Sequence, residues 1–227
     1  MKKIRNLIII GALLLTGTWA VCAPVTQLQE AGSASSTIQF PPPPAAGSEE
    51  DRADNAAVHK WQDERTEQQC AAANAQAYAT YEELFGGLSP FKKPVPENVQ
   101  SILTHLRKEV NDTNVQIKNR YKRPRPFRMD STIDPCLGRI GGYSYPSGHA
   151  AISRMFGRLL ADLVPAQRKV FMDQADQCAL YRVIGGVHNP SDIEAGKLVG
   201  DIKYEQFLRD PDTSAQIESL KVYLSTP

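Results

Sequence analysis

The sequence has almost no excess of charge of either sign. Its 26 Lys and Arg residues face 25 Asp and Glu residues, which gives a formal net charge of +1. Lys2, Lys3 and Arg5 supply three of the positive charges, so the rest of the chain has a net charge of −2. Such a chain lacks the broad positive field that attracts nucleic acid or anionic membranes. We therefore expect no nucleic acid as a binding partner.

Long apolar runs are also scarce, and the one clear run lies near the N-terminus. Residues 7–15 are apolar, follow the basic residues just named, and precede small residues that would permit cleavage after Ala20 or Ala23. This order is typical of a secretory signal peptide, and the run is shorter than the ~20 residues that a membrane-spanning helix needs. We expect export to a bacterial periplasm and no stable membrane insertion. An uncleaved anchor and a lipoprotein modified at Cys22 are less favoured alternatives.

Cysteine is rare, because the chain has only Cys22, Cys70, Cys136 and Cys178. In an oxidising compartment such thiols can pair. Cleavage at the earlier site leaves all four in the mature chain, with three possible pairings, whereas cleavage at the later site leaves three cysteines. We favour a Cys136–Cys178 disulfide, since each of these residues lies near a motif that must converge with the others, but the other pairings stay open.

Strand-like alternation of polar and apolar residues is absent, and so are internal repeats. At 227 residues the chain is long enough for one domain with a substantial core. We predict a signal peptide over residues 1–23 and a flexible segment over 24–50, which contains four prolines at positions 41–44. A single helical domain is predicted over 51–227.

Apolar residues instead recur at helical spacing. One stripe comprises Leu103, Leu106, Val110 and Ile117. A second comprises Ile152, Met155, Phe156, Leu159, Leu160 and Leu163. Helices are predicted over 51–84, over 94–121, from Pro146, over 165–187, from Pro190 and over 213–224, with loop over 122–145. The predicted fold class is therefore all-α, an irregular helical bundle.

A run of basic residues follows the first stripe. Residues 118–128 contain six Lys or Arg, and a solvated surface or a nucleic-acid patch is the ordinary explanation of such a run. However, prolines at 124 and 126 stiffen the backbone around Arg125. A rigid guanidinium suits bidentate phosphate binding, and Lys118 can add a point charge. We interpret Lys122, Arg123 and Arg128 as surface charges.

The segment Pro146-Ser147-Gly148-His149 has the features of a helix start that binds an anion. Proline is favoured at the first helical position, which would leave the amides of Ser147, Gly148 and His149 among the unpaired donors of the first turn. Such amides bind oxyanions together with the helix dipole, and the Ser147 hydroxyl can add a bond. By itself, this segment more often indicates ordinary helix capping.

A third segment contains Arg182, His188 and Asp192. Asn189 and Pro190 have the order of an N-cap and a first helical position, which would place Asp192 in the first turn of a helix. The helix dipole favours an ionised carboxylate there. Such a carboxylate can accept a hydrogen bond from one nitrogen of His188 and leave the other nitrogen as a nucleophile. A His-Asp pair that only caps a helix is the plainer alternative.

Together the three segments resemble the signature of the type-2 phosphatidic acid phosphatase superfamily. That signature is Lys, six residues and Arg-Pro; then Pro-Ser-Gly-His; then Ser-Arg, five residues, His, three residues and Asp. The chain departs from it at Tyr181, which replaces the serine before the arginine. Within the superfamily the chain most resembles the bacterial class A nonspecific acid phosphatases, through its signal peptide, its proline run followed by Gly47-Ser48, and the sequence around Pro146. The resemblance covers residues 40–210.

The resemblance implies a secreted, metal-independent phosphomonoesterase of broad specificity, with a helical bundle of the acid phosphatase and vanadium haloperoxidase type. His188, oriented by Asp192, would attack phosphorus, and His149 would protonate the leaving alcohol and then activate water. The residues implied to hold the phosphoryl group are Lys118, Arg125, Ser147, Gly148 and Arg182. No cofactor and no metal are implied, and small phosphomonoesters are the expected substrates.

Other interpretations remain open at this point. His149, His188 and Asp192 could form a metal site with two histidines and one carboxylate, although the neighbouring cations would repel a metal. A vanadate-dependent haloperoxidase, a lipid or isoprenoid pyrophosphate phosphatase, and a non-catalytic phosphate-binding protein are the remaining alternatives. The sequence also leaves open whether the chain forms a homo-oligomer.

Overall fold

The structure is a computed structural model that describes residues 40–226. The predicted signal peptide, residues 1–23, and the residues from there to 39 lie outside the described part. Within residues 40–226 the regular secondary structure is helical and includes no strand, which confirms the predicted all-α class. The α-helices are α1 (Glu49–Glu64), α2 (Glu67–Asn74), α3 (Tyr81–Phe85), α4 (Glu97–Tyr121), α5 (Pro126–Met129), α6 (Gly148–Leu163), α7 (Arg168–Ile184), α8 (Pro190–Arg209) and α9 (Pro211–Ser225).

Residues 40–48 precede α1 and lie against the helical domain. The Phe40 side chain is buried, and the Tyr121 hydroxyl donates to the Phe40 carbonyl. The Tyr145 hydroxyl donates to the Pro41 carbonyl over 2.9 Å. Because these aromatic residues hold the start of the proline run, the compact unit begins at Phe40 rather than at residue 51.

Helix α6 lies at the centre of the bundle, where it contacts α4, α7, α8 and α9. Its predicted apolar stripe is buried except at Leu163, which is partly exposed. The predicted stripe of α4 is buried along its whole length. Burial of each such side chain stabilises the fold by about 1.5–3 kcal/mol. The two stripes therefore place α4 and α6, and the site residues at their ends, against the same core.

The predicted helix start at Pro146 is wrong, because α6 begins at Gly148. Ser147 is its N-cap, and the Ser147 hydroxyl accepts a hydrogen bond from the Ala150 amide over 3.4 Å. Serine is a preferred N-cap because its oxygen satisfies a first-turn amide in this way, so Pro146 falls just outside the helix. The Ser147 amide donates to the Asp192 carbonyl over 2.8 Å, and it is therefore not one of the unpaired donors.

Helix α8 comes very close to the start of α6. A Cβ atom at Gly196 would lie 2.4 Å from the Ser147 carbonyl oxygen, a separation that real side chains do not adopt. Glycine at this position thus lets the two backbones approach. The contact holds together the two segments that bear the predicted catalytic histidines.

Several other helix bounds differ from the prediction. The helix predicted over 51–84 is divided into α1, α2 and α3, because Thr66 and Thr80 each form a capping box that starts a new helix. The loop predicted over 122–145 contains the short helix α5. Helices α4, α7, α8 and α9 lie within a few residues of their predicted bounds.

A disulfide joins Cys70 to Cys136, so the predicted Cys136–Cys178 pairing is wrong. Cys70 lies in α2, and Asn74 at the end of that helix donates to the Cys136 carbonyl over 3.3 Å. Helix α2 therefore lies directly against the loop that precedes α6. Cys178 is a free, buried thiol on α7, and its Sγ faces the Leu84 carbonyl of α3 at 3.8 Å.

Candidate active site

A cavity of about 300 Å³ lies where the three predicted segments meet. Its wall includes Lys118, Arg125, Gly148, His149, Arg182 and His188. They come from the end of α4, the residue before α5, the start of α6, the end of α7 and the turn between α7 and α8. The rest of its lining is uncharged and consists of Asn74, Ala77, Asn111, Asn114, Leu137 and Ile140. Of the predicted site residues, only Ser147 and Asp192 are buried without lining the cavity.

Backbone carbonyl groups hold the three cations in place. Lys118 Nζ donates to the carbonyls of Tyr143 and Ser144, over 2.6 and 3.0 Å. Arg125 donates from Nε to the Gly141 carbonyl over 3.0 Å and from Nη1 to the Val187 carbonyl over 2.9 Å. These bonds use only part of the donor capacity of each side chain. The remaining N–H groups are available to an anion in the cavity.

Arg182 is the most loosely satisfied of the three cations. It is 3% exposed, and its Nη1 lies 3.5 Å from the Ala73 carbonyl oxygen. Its Nε has no hydrogen-bond partner among residues 40–226. A buried guanidinium with an unpaired donor is costly, and an oxyanion in the cavity would satisfy it.

Burial lowers the pKa values of all three cations. Burial, followed by the Arg125 charge, lowers the pKa of Lys118 to about 7. Burial also lowers the pKa of Arg125 to about 10, and burial with the nearby Arg125 lowers the pKa of Arg182 to about 10. A bound anion would offset this repulsion and raise each value. The cavity is therefore electrostatically suited to a negatively charged ligand.

His188 lies in the turn between α7 and α8 and is paired with Asp192. Its Nδ1 is 3.4 Å from Asp192 Oδ2, and its Nε2 is 3.2 Å from Arg125 Nη1. Asp192 Oδ2 also accepts from the amide of Asn189, the N-cap of α8, over 2.8 Å. Because a carboxylate accepts and a guanidinium donates, the neutral ring has its proton on Nδ1 and a lone pair on Nε2.

The charge state of this pair follows from its burial. Burial, followed by Arg125 and Lys118, lowers the pKa of His188 well below its ordinary value. Burial raises the pKa of Asp192, and the Arg123 guanidinium opposes part of that rise. This shift favours the neutral form of His188, which is the form that a nucleophilic imidazole must have.

His149 lines the same cavity from the first turn of α6. Its Nε2 lies 2.6 Å from the Gln76 carbonyl oxygen, an acceptor that fixes the Nε2 proton and leaves Nδ1 as the titrating nitrogen. Burial, followed by the Arg182 charge, lowers the pKa of His149 to about 3. A bound anion would raise it, because opposite charge favours the protonated ring.

Arg123 is buried, which corrects the expectation that it is a surface charge. Its side chain is 5% exposed, and its Nη1 donates to Asp192 Oδ1 over 2.8 Å. Its Nη2 contacts Asp54 Oδ2 at 2.9 Å and Asp51 Oδ1 at 3.0 Å. Asp54 also accepts from the Ser191 amide over 3.0 Å. Arg123 thus links α1 to the carboxylate that orients His188.

No pattern in the sequence marked this network. Asp51 and Asp54 lie on one face of α1, about 70 residues before Arg123, and an acidic helix face is ordinarily solvated. Lys122 and Arg128, by contrast, are exposed as expected.

Residues 102–202 match the PAP2 superfamily. This chain contains a PAP2 superfamily domain. The matched region begins within α4, ends within α8 and includes all three segments that line the cavity. The expected resemblance to the type-2 phosphatidic acid phosphatase superfamily is confirmed for residues 102–202.

Several curated proteins are similar to this chain. One, from Providencia stuartii, is named non-specific acid phosphatase and is 26% identical over 97% of each chain. Another of the same name, from Salmonella typhi, is 27% identical over 79% of this chain and 76% of its own. An acid phosphatase from Zymomonas mobilis is 29% identical over 55% of this chain and 48% of its own.

A solved structure shares the fold. It is a transmembrane PAP2-type phosphatidylglycerolphosphate phosphatase from Bacillus subtilis, with a TM-score of 0.51 and 16% identity over 74% of this chain and 86% of its own. At this identity the likeness concerns the fold alone. In the chain described here, none of the helices within residues 40–226 is long and apolar enough to cross a membrane.

Two features of the PAP2 site bear on earlier expectations. Tyr181, which replaces the serine of the signature, is half-buried on α7 and does not line the cavity, so its phenol takes no room from a ligand there. Within residues 40–226, no three His, Cys, Asp or Glu side chains are grouped so as to hold a metal ion.

Proposed function

We propose that this chain is a secreted, metal-independent phosphomonoesterase of broad specificity that acts through a phosphohistidine intermediate. The observation that carries the proposal is the convergence of three cations and two histidines on one cavity of about 300 Å³. The acid phosphatase names of the relatives favour phosphoryl transfer as the use of this anion site.

The first chemical step transfers the phosphoryl group to His188. Its Nε2 lone pair attacks phosphorus, a P–N bond forms, and the bond to the ester oxygen breaks. Lys118, Arg125, Arg182 and the Gly148 amide stabilise the charge on the equatorial oxygens, which is the main catalytic task in phosphoryl transfer. Asp192 stabilises the positive charge that develops on the ring, because it accepts from Nδ1.

His149 handles the protons of both steps. Burial lowers the pKa of His149 to about 3, and the negative charge of a bound phosphoryl group opposes that shift. The ring then takes up a proton and donates it from Nδ1 to the leaving alcohol. The neutral ring then accepts a proton from water, which attacks the phosphohistidine and releases phosphate. General acid–base help of this kind contributes about 10²–10⁴-fold to the rate.

Other features of the molecule support the proposed specificity and location. Apart from the phosphate-binding groups and the histidines, the residues of the cavity wall carry no charge. The site therefore binds the phosphoryl group strongly and selects little among leaving groups. The Cys70–Cys136 disulfide suits an oxidising compartment such as a bacterial periplasm, in agreement with the proposed signal peptide.

The decisive experiment is hydrolysis of a panel of phosphomonoesters by the purified mature protein, with and without EDTA. We expect turnover of several esters at rates that the chelator leaves unchanged. His188→Ala should abolish turnover and keep the native circular dichroism spectrum, whereas the matched variant His105→Ala, at a histidine that pairs with Gln216 away from the cavity, should stay active. Wild-type turnover in His188→Ala, or loss of activity with EDTA, would refute the proposal.

A further inference from the structure

One buried polar side chain in the cavity is not explained by the mechanism. Asn114 lies on α4, one turn before Lys118, and lines the cavity while being only 1% exposed. Its Nδ2 donates to the Pro146 carbonyl over 3.3 Å. Its Oδ1 has no hydrogen-bond partner in the part of the chain that the structure describes. A buried acceptor left in this way destabilises a fold, so a ligand that satisfies it is a natural explanation.

The orientation of the Asn114 amide follows from its neighbour. The Pro146 carbonyl oxygen can only accept, and it must therefore face the NH₂ group of the amide. The opposite assignment would place two acceptors against each other. The carboxamide oxygen is accordingly the atom left for a ligand.

Asn74 and Asn111 also line the cavity, but both are exposed, so water can satisfy their amides. The groups proposed to bind phosphate differ from Asn114 Oδ1 in kind. Lys118, Arg125, Arg182 and the Gly148 amide are all donors. A fully deprotonated phosphoryl group has only acceptors, and one of them would oppose Asn114 Oδ1. A phosphoryl group with one P–OH satisfies the same donors and also donates from its hydroxyl to Oδ1.

We propose that Asn114 is a specificity-determining residue that selects the protonated, monoanionic form of the phosphoryl group. The inference rests on the proposed function and names the form of substrate that the site takes. The second pKa of a phosphomonoester is about 6, so this form predominates in acid. Asn114 thereby gives the site a preference for acidic conditions that does not depend on the titration of an enzyme group.

A comparison of phosphate binding with sulfate binding distinguishes this inference from simple electrostatic attraction of anions. At pH 5 phosphate carries one negative charge and P–OH groups, whereas sulfate carries two negative charges and no proton. Coulomb attraction to three cations favours sulfate, and hydrogen bonding to Oδ1 favours phosphate. By isothermal titration calorimetry at pH 5, we expect the wild-type protein to bind phosphate about tenfold or more tightly than sulfate. Equal or tighter binding of sulfate would overturn the inference.

Three variants test whether Oδ1 is responsible. Asn114→Leu has a similar shape and no acceptor, and its phosphate-to-sulfate affinity ratio should fall to about one or below. Asn114→Asp keeps an acceptor that the cations hold ionised, and it should retain a preference for phosphate even though both anions bind more weakly. Asn119→Leu, on the exposed side of α4, is the matched control and should keep the wild-type ratio.

Each other outcome contradicts the inference. Two outcomes would mean that no acceptor at this position recognises the P–OH group. One is a wild-type phosphate-to-sulfate affinity ratio in Asn114→Leu. The other is a ratio that falls as far in Asn114→Asp as in Asn114→Leu. If Asn114→Leu fails to fold, the ratios of the wild-type protein and of Asn114→Asp still decide. Since calorimetry needs no turnover, a protein that prefers phosphate but hydrolyses no ester would disprove the proposed function and leave this inference standing.

Discussion

Arg123→Leu tests the buried network behind His188. The Arg123 side chain is 5% exposed, and its carboxylate partners Asp54 and Asp192 are 6% and 0% exposed. Removal of the guanidinium leaves these two carboxylates buried without their cation. Breaking a buried ion pair from one side costs about 3–5 kcal/mol, which for a domain of this size lowers the melting temperature by about 6–20 °C.

The same substitution should impair catalysis. Without Arg123, only the Asn189 amide and Lys118 oppose the rise that burial causes in the pKa of Asp192. We therefore expect more of Asp192 to be protonated and unable to accept a hydrogen bond from His188. We expect kcat for p-nitrophenyl phosphate to fall by at least tenfold while KM changes little, because no phosphate-binding group is altered.

The measurements are differential scanning calorimetry and steady-state kinetics below the melting temperature of the variant. Arg128→Leu, an exposed arginine of the same basic run, is the control and should match the wild-type protein in both. Wild-type stability and kcat in Arg123→Leu would show that the network neither supports the fold nor orients the histidine.

Three further predictions concern anion binding, the disulfide and helix packing. Because burial lowers the pKa of Lys118 to about 7, its side chain is charged below pH 7 and loses its proton above it. Sulfate does not titrate in this range, so it should bind about tenfold less tightly at pH 8 than at pH 6. Lys118→Arg should remove most of this pH dependence of sulfate binding. Cys70→Ala should lower the free energy of unfolding by about 4 kcal/mol, because the disulfide closes a loop of 66 residues; unchanged denaturant midpoints would contradict this. Gly196→Ala would place a Cβ atom 2.4 Å from the Ser147 carbonyl oxygen and should lower the free energy of unfolding by about 1–3 kcal/mol. Urea unfolding measures this loss, and Leu198→Ala, on the exposed face of α8, is the control.

The sequence predicted those parts of the site whose positions are set locally. The apolar stripe of α4 directs Lys118 to the core side of its helix, and Asn189-Pro190 sets the start of α8, which places Asp192 one turn from His188. These relations depend on helical periodicity and capping, which act over a few residues. The helical class followed from the same periodicity.

The parts that the sequence did not predict depend on contacts between distant segments. Arg123 is buried only because α1 brings Asp51 and Asp54 to it, about 70 residues away in the chain. Cys70 pairs with Cys136 because α2 packs against the loop before α6. The unpaired acceptor of Asn114 can be recognised only in the structure, because there its NH₂ group donates to the Pro146 carbonyl.

The most direct test of the central claim is to trap the intermediate on His188. Wild-type protein is mixed rapidly with p-nitrophenyl phosphate and quenched in alkali, in which a phosphoramidate is stable, and the peptides are mapped by mass spectrometry. The account predicts one phosphoryl group, attached to Nε2 of His188, and none in His188→Ala. Phosphorylation of any other residue, or turnover in which no phosphoenzyme forms, would contradict it.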